Sequence, residues 1–286
     1  NVLSEANTGL GTVAYEYDLA GRRTKLTWPD SVYVTYDWDP ASNLKAIKLS
    51  GSTSLAAFTY DSLGRRTGLT RGNGTSTSYS YDAQSLMSGF GLDLASTGND
   101  QTVTFTRDKV GRITNKTGTN AAYDAASPTT STVNATLNGL NQNTVVGGTS
   151  WTHDARGNTT AIGSNTYSYD TANRMTGQTN LSVTLAHDPL GRLYELAGVA
   201  TTRFQYDNAD LITEYNTSGT VLRRYVHGPR TDEPLVWYEG TGTSTPHYLM
   251  ADERGSSVAG TDGSVAAEAI NTYDEYGIPS ANNVGR

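Results

Sequence analysis

A short motif built on Tyr-Asp recurs along the chain and constrains its fold more than any single residue does. Tyr17-Asp18 opens the run Tyr-Asp-Leu-Ala-Gly-Arg-Arg, and Tyr60-Asp61 opens Tyr-Asp-Ser-Leu-Gly-Arg-Arg. His187-Asp188 opens the related run His-Asp-Pro-Leu-Gly-Arg-Leu. A unit that repeats along a sequence is typical of architectures in which each copy is one structural element. We therefore interpret each copy as a building unit and not as a reaction centre.

The copies follow one another with a period of about 20 residues, a spacing typical of solenoids and strand arrays. The turn aspartates of the series are Asp18, Asp37, Asp61, Asp82, Asp108, Asp154, Asp170, Asp188, Asp207 and Asp274. Two intervals are much longer than the period. Tyr123-Asp124 is a candidate for an extra copy in the first gap, and Asp252 in the second.

Each copy has the pattern of a strand, a tight turn and a second strand. Tyr and Thr alternate before the Asp, which favours β-structure. The Asp carboxylate can accept hydrogen bonds from backbone N–H groups two residues on, and a Gly three residues later supplies a positive φ. Asn is the next-best residue for that conformation. The predicted turn motif comprises Tyr17, Asp18, Gly21, Arg22, Tyr60, Asp61, Gly64, Arg65, Asp108, Gly111, Arg112, Asp154, Gly157, Tyr169, Asp170, Asn173, Arg174, Asp188, Gly191 and Arg192.

The motif arginines have two interpretations. In the structural one, the Arg contacts the Asp of its own turn or stacks on a neighbouring Tyr. In the functional one, the row of arginines binds an anionic polymer. The structural interpretation is favoured because the formal net charge of the chain is −7.

The composition predicts a sheet with a thin core. Hydrophobic residues make up 36% of the chain, and Tyr, at 18 residues, dominates the aromatic residues. Tyr suits a half-buried sheet face because its ring is apolar and its tip is polar. No long helical pattern occurs, and the Thr-, Asn- and Gly-rich segment 129–150 is predicted to be an irregular connection.

Several function classes are disfavoured by the sequence. Binding to nucleic acid is not expected because the basic residues are interleaved with acidic ones. There is no Cys, and no apolar run approaches the length of a membrane helix. His153 and His187 stand where other copies carry the motif Tyr, while His227 and His247 are isolated. No known catalytic or phosphate-binding motif occurs, so we predict no enzyme activity, no cofactor and no metal site.

The ordered series of repeats resembles the Rhs/YD-repeat family over nearly the whole chain. Three stretches strengthen the resemblance: Leu137-Asn138-Gly139-Leu140-Asn141-Gln142, Tyr225-Val226-His227-Gly228, and Tyr248-Leu249-Met250-Ala251-Asp252-Glu253-Arg254-Gly255-Ser256. The resemblance implies an all-β fold of repeated antiparallel hairpins, forming a spiralling ribbon or part of a hollow β shell. It also implies that the shell encloses a C-terminal toxin or effector in bacterial polymorphic and insecticidal toxins, and that a related barrel serves adhesion in teneurins.

The resemblance gives the following expectations for organisation and function. We expect one YD-repeat region over 1–286, part of a longer protein, with regular repeats over 1–225 and degenerate, Rhs-core-like repeats over 226–286. We predict a non-enzymatic segment of a bacterial shell, secreted or at the cell surface and delivered through a secretion system. Its partners would be the rest of its own shell and an enclosed C-terminal effector, with self-association through open sheet edges.

Two other functions stay open at this stage. The first is an adhesion or glycan-binding module, in which Trp28, Trp38, Trp151 and Trp237 stack on sugars. The second is an extracellular fibre built from repeated ribbons.

Overall fold

The protein is almost entirely β-structure. The computed structural model describes residues 3–7, 9–95, 98–125, 132–274 and 276–284. Within these residues the structure has two sheets and one 3₁₀ turn, Ala121–Tyr123. No helix among the described residues combines the length and apolar character that crossing a membrane requires.

The first sheet has eleven strands. They are β1 (Ser4–Asn7), β2 (Gly11–Tyr17), β3 (Arg23–Thr27), β4 (Tyr33–Trp38), β5 (Leu44–Leu49), β6 (Thr53–Tyr60), β7 (Arg66–Arg71), β8 (Ser76–Tyr81), β9 (Met87–Asp93), β10 (Gln101–Arg107) and β11 (Ile113–Gly118).

The second sheet has fifteen strands. They are β12 (Ala135–Leu137), β13 (Asn143–Val146), β14 (Thr149–His153), β15 (Thr159–Ile162), β16 (Asn165–Tyr169), β17 (Met175–Gln178), β18 (Val183–His187), β19 (Leu193–Ala197), β20 (Thr201–Asp207), β21 (Asp210–Tyr215), β22 (Val221–His227), β23 (Pro234–Glu239), β24 (Pro246–Ala251), β25 (Ser257–Thr261) and β26 (Ala267–Ile270).

In both sheets the order of the strands follows the order of the chain. Each strand lies beside the strands that precede and follow it, and the paired strands are antiparallel, as in β2 with β3 and β6 with β7. In the part of the chain that is described, the first strand of each sheet does not pair with its last. The predicted all-β fold of consecutive antiparallel hairpins is therefore confirmed.

The chain divides into two compact units. Unit 1 comprises Asn1–Ser127 and Arg223–Arg286, and unit 2 comprises Pro128–Leu222. The expected change from regular to degenerate repeats at 225/226 concerns the regularity of the sequence and stays a prediction.

Unit 1 has a core built from two β layers. Phe90, Leu92 and Val103 of the first sheet form one buried cluster with Met250 and Ala259 of the second. Both Met250 and Ala259 are completely buried. Removing apolar side chains from water is the main force that stabilises such a core.

The strands of unit 2 are thinly covered over much of their length. Among the described residues from 132 to 200, Gly177 alone is fully buried, and most apolar side chains are half-buried or exposed. The strands of this region depend more on backbone hydrogen bonds and turn contacts than on a packed core.

The prediction of an irregular connection over 129–150 was wrong for 135–150, where β12, β13 and the start of β14 lie. The reason is that Asn138 replaces the turn Asp. Its Oδ1 accepts hydrogen bonds from the backbone N–H groups of Leu140 and Gln142, at 2.9 and 3.0 Å. Asn141 takes the place of the Gly with a φ of 61°. Residues 129–131 of that prediction lie outside the described residues.

Candidate functional site

The best-defined polar feature of the chain is the row of turns that join the strands of each hairpin. In the turn at Asp61, the carboxylate Oδ1 accepts hydrogen bonds from the backbone N–H groups of Leu63 and Arg65, at 3.0 and 2.9 Å. The second oxygen, Oδ2, accepts a hydrogen bond from Nε of Arg65 at 2.7 Å. The backbone N–H of Gly64 donates to the carbonyl of Asp61 at 3.0 Å. One carboxylate therefore satisfies the donors that a tight turn leaves without partners.

The same arrangement recurs at other predicted motif positions. Salt bridges of 2.6–2.7 Å join each Asp to the Arg four residues later in the pairs Asp18–Arg22, Asp61–Arg65, Asp108–Arg112, Asp170–Arg174 and Asp188–Arg192. Asn158 takes the place of the Arg in the turn at Asp154, and its amide donates to Asp154 Oδ2 at 2.9 Å. The structure thus places every motif arginine of the predicted set in an ion pair within its own turn.

The hydrogen bonds stabilise the ionised form of the turn aspartates. Donation from the backbone N–H of Arg22 lowers the pKa of Asp18 below its ordinary value. The side chain of Arg112 lowers the pKa of Asp108 in the same way. These carboxylates are consequently poor general acids, and their role is to hold the turn.

The fourth residue of the turn adopts the left-handed conformation. The glycines at this position have φ values of 80° (Gly21), 74° (Gly64), 83° (Gly111), 90° (Gly157) and 85° (Gly191), and Asn173 has 63°. Only glycine adopts this region without a steric penalty from Cβ. Ser42 and Ser85 adopt it as well, with φ values of 67° and 64°, a substitution that the sequence pattern did not reveal.

Consecutive turns are linked by the motif arginines. Nη1 of Arg22 donates to the backbone carbonyl of Asp39 at 3.1 Å and to Ser42 Oγ at 3.2 Å. Nη1 of Arg65 donates to Ser85 Oγ at 3.1 Å, and its guanidinium lies over the ring of Tyr81 at 4.6 Å. The arginines therefore join one hairpin to the next, and their charge is already compensated by Asp. This geometry disfavours the interpretation of a row that binds an anionic polymer.

The motif tyrosines form a second link, which we call the tyrosine ladder. The hydroxyl of Tyr81 donates to the backbone carbonyl of Arg66 at 2.8 Å, and that of Tyr60 donates to the carbonyl of Leu44 at 2.9 Å. In each case the acceptor is the fifth residue after the Asp of the preceding hairpin. The same bond joins Trp38 to Arg23, Arg107 to Met87, Tyr169 to Thr159, Tyr206 to Leu193 and Tyr273 to Ser257.

His153 and His187 occupy the ladder position but do not extend the ladder. His187 pairs with Leu193 and His153 with Thr159, the register that Tyr17 has with Arg23. Among the described residues, neither imidazole donates a ladder hydrogen bond to a backbone carbonyl. Both histidines lie in unit 2, so two rungs of the ladder are missing there.

Some aspartates assigned from the sequence do not lie at the turn. The turn after β4 is made by Asp39, whose Oδ1 accepts from the backbone N–H of Asn43 at 2.8 Å, while Asp37 lies inside β4. Asp207 ends β20 and precedes a two-residue turn to Asp210, with Asn208 at a φ of 54°. Tyr-Asp and Trp-Asp pairs occur both inside strands and at turns, so the pair alone did not identify the turn.

One of the two additional copies proposed from the sequence makes a hairpin turn and the other does not. Two further turns were not predicted at all. Tyr123 belongs to the 3₁₀ turn and does not open a hairpin. Asp252 does make a hairpin turn, in which Gly255 has a φ of 88°. Asn216 and Asp262 make further turns of the same kind. The signal that could have found Asn216 is the spacing Asn-x-x-Gly, with Gly219 three residues later.

A set of charged contacts joins the two layers of unit 1, and no sequence pattern predicted it. Arg66 is almost completely buried and forms a salt bridge with both carboxylate oxygens of Glu233. Arg224 forms another with Asp30, and Lys116 a third with Glu253 at 2.8 Å. We call these pairs the interlayer salt bridges. The partners lie more than a hundred residues apart, and no local pattern connects them.

Arg71 is held in the same region by neutral acceptors. Its Nε donates to the backbone carbonyl of Leu249 at 2.7 Å, and its Nη1 donates to Thr77 Oγ1 at 3.1 Å. Burial lowers the pKa of Arg71 to about 10, so the side chain remains charged at neutral pH.

No family model matches the sequence. Among solved structures, the chain is similar to a Photorhabdus luminescens Tc holotoxin pore, with a TM-score of 0.66 at 13% identity over 94% of this chain and 18% of that one. It is also similar to the TcdB2-TccC3-Cdc42 crystal structure, with a TM-score of 0.55 at 14% identity over the same shares. The chain has the fold of Rhs-repeat shell proteins. The predicted resemblance to the Rhs/YD-repeat family is therefore confirmed.

The chain is also similar in sequence to a curated protein. The tRNA3(Ser)-specific nuclease WapA of Bacillus spizizenii is 29% identical over 157 residues, which cover 52% of this chain and 7% of the relative. The chain thus spans a small fraction of the proteins that it matches. Within the Rhs-repeat fold, the tyrosine ladder and the motif arginines join neighbouring hairpins, while each turn aspartate holds its own turn.

Proposed function

We propose that this chain is a non-enzymatic wall segment of an Rhs-type shell, which encapsulates a C-terminal toxin or effector and helps to deliver it. The observation that carries the proposal is the tyrosine ladder. It joins neighbouring hairpins at several places in each sheet, as a wall built from repeats requires. The similarity in fold to Tc toxin components supports a toxin-associated shell role.

The chemistry of the repeats supports a wall more than a catalyst. The turn carboxylates are ionised and paired, and each motif arginine is compensated by its own Asp. The face opposite the ladder carries Ser and Thr pairs, such as Thr59 with Thr67 at 3.1 Å and Thr152 with Thr160 at 2.9 Å. These hydroxyl pairs are exposed to solvent, which suits the surface of a container.

A protease-protection experiment tests encapsulation. The complete gene product that contains this chain would be treated with a nonspecific protease, and the survival of its C-terminal region would be compared with that of the same region expressed alone. We expect survival in the complete protein at protease concentrations that digest the isolated region. Equal rates of digestion would contradict the proposal.

A paired variant makes this experiment more specific. Arg66→Ala with Glu233→Ala removes one interlayer salt bridge, and we expect faster digestion of the C-terminal region. The matched control is Lys25→Ala with Glu16→Ala, which removes an exposed pair of 2.9 Å within the first sheet and is expected to leave protection unchanged.

The positions of the tryptophans reduce the number of residues that could bind a sugar in the adhesion alternative. Trp28 is 2% exposed and cannot stack on a sugar, and Trp38 uses its indole N–H in the ladder. Trp151 and Trp237 are half-buried and remain candidates. A glycan array with the purified chain tests this alternative, and binding that Trp151→Ala or Trp237→Ala abolishes would favour it over the shell.

A further inference from the structure

Unit 1 contains a pocket that lies on the second sheet. It has a volume of about 240 Å³ and is lined by side chains of β22–β26 and of the segment that follows β26. Along β23, Val236 and Tyr238 are buried in the core, so Trp237 between them points to the opposite face. The pocket therefore belongs to the face that the core leaves uncovered.

One wall of the pocket is aromatic. Tyr225, Trp237 and His247 lie side by side on β22, β23 and β24, because Tyr225 pairs with Trp237 and Trp237 pairs with His247. The rings of Trp237 and His247 are stacked, with centroids 4.6 Å apart and an angle of 13° between their planes. Tyr273 also lines the pocket. The faces of aromatic π-systems carry negative charge density.

The charged residues of the lining are acidic. Glu239 and Glu268 both line the pocket, whereas none of its described lining residues is Lys or Arg. Glu268 Oε2 lies 2.7 Å from Nδ1 of His247. Glu239 accepts a hydrogen bond from Nε of Arg223 at 3.2 Å, and Arg223 lies outside the lining.

The size of the pocket restricts the ligand. Drug-sized ligands occupy pockets of roughly 300–1,000 Å³, so a pocket of about 240 Å³ accepts a group of side-chain dimensions. Aromatic faces combined with carboxylates select organic cations, because the ring quadrupole and the carboxylate both attract positive charge.

We propose that this pocket binds the ammonium or guanidinium group of a Lys or Arg side chain that a polypeptide presents to it. The cation would lie against Trp237 and interact with Glu268, while the alkyl stem contacts Leu249 and Tyr273. This proposal does not depend on the shell function, since it concerns a local pocket within unit 1.

Nuclear magnetic resonance of the indole N–H groups tests the proposal. The chain has four Trp, so four indole signals are expected. The signal that is absent from the spectrum of Trp237→Phe belongs to Trp237. The probes are Nα-acetyl-arginine amide and Nα-acetyl-lysine amide, each compared with its neutral counterpart, the citrulline or norleucine amide. We expect saturable shifts of the Trp237 signal with the two cations and no saturable shift with the neutral compounds.

Two variants separate charge recognition from general apolar binding. Glu268→Gln is expected to weaken cation binding about tenfold, as loss of one desolvated charge contact would. Glu16→Gln removes an exposed carboxylate of the first sheet and is expected to leave binding unchanged. Circular dichroism checks that both variants fold, and Glu239→Gln provides a second acidic variant. Equal binding of neutral and cationic probes, or unchanged cation binding by both Glu239→Gln and Glu268→Gln, would overturn the proposal.

Discussion

Arg66 and Glu233 are 167 residues apart in the sequence, and their side chains form a two-point salt bridge between the layers of unit 1. The Arg66 side chain is 4% exposed and that of Glu233 is 15% exposed. The guanidinium of Arg66 also lies over the ring of Phe58, at 4.7 Å from its centroid. A charge buried to this extent is tolerated only with its partner present.

Removal of one partner of this bridge is expected to be strongly destabilising. Arg66→Ala or Glu233→Ala should lower the free energy of unfolding by about 3–5 kcal/mol, because each leaves a buried charge without its counter-ion. Urea unfolding followed by tyrosine and tryptophan fluorescence measures the change. The exposed pair Lys25–Glu16 is the control, and Lys25→Ala should cost about 1 kcal/mol or less. Equal effects of Arg66→Ala and Lys25→Ala would show that the buried bridge is not important.

The tyrosine ladder predicts the effect on stability of removing one of its hydrogen bonds and of adding one. Tyr81→Phe removes only the hydroxyl that donates to Arg66, and should destabilise by about 0.5–1.5 kcal/mol. His187→Tyr should stabilise by a similar amount, since a Tyr there would face the carbonyl of Met175, the fifth residue after Asp170. Thermal unfolding of both variants measures these changes, with exposed Tyr276→Phe as the control. A neutral effect of Tyr81→Phe would exclude the ladder as a stabilising feature.

Gly64 is required at its turn for its backbone conformation and not for lack of space. A Cβ on Gly64 would meet no atom closer than 3.8 Å, yet its φ is 74°. Gly64→Ala should therefore destabilise by about 1–2 kcal/mol. Gly139 is the matched control, because it lies in the turn at Asn138 with no neighbour within 4 Å and no positive φ. Chemical denaturation of both variants measures the difference, and equal costs would contradict this explanation.

Stability should fall with acidification through the turn aspartates. The pKa values of Asp18 and Asp108 are lowered in the folded chain, the first by the backbone N–H of Arg22 and the second by the side chain of Arg112. A carboxyl whose folded pKa lies below its unfolded value contributes stability above the unfolded pKa. That contribution is lost as the pH falls through the folded pKa.

Melting temperatures between pH 7 and pH 2 test this pH dependence. Asp108→Asn should make the acid decrease shallower, because an amide oxygen still accepts the backbone N–H groups, as Asn138 does, but no longer titrates. Asp93→Asn, in a carboxylate outside the turn series, is the comparison. An unchanged pH profile for Asp108→Asn would contradict the role assigned to the turn aspartates.

The local structure was largely determined by the sequence. Tyr60, Asp61, Gly64 and Arg65 interact with neighbours within a few residues or in the adjacent hairpin, so their spacing predicts the turn. Errors arose where another residue meets the same local requirement. Asn138 and Ser42 replace Asp and Gly at their turns, and Asp39 replaces the expected Asp37.

Which face of a strand becomes buried was decided only by the tertiary structure. In the hairpin at Asp61, Phe58 is buried and Thr59 is exposed, whereas in the hairpin at Asp252 the position equivalent to Thr59 is Met250, which is completely buried. Tyr248, Leu249 and Met250 are all apolar, so alternation cannot select a face there. The choice depends on the layer that packs against the strand, which brings Met250 to Phe90 and Glu233 to Arg66. Such contacts join distant residues, and no short-range pattern in a single sequence specifies them.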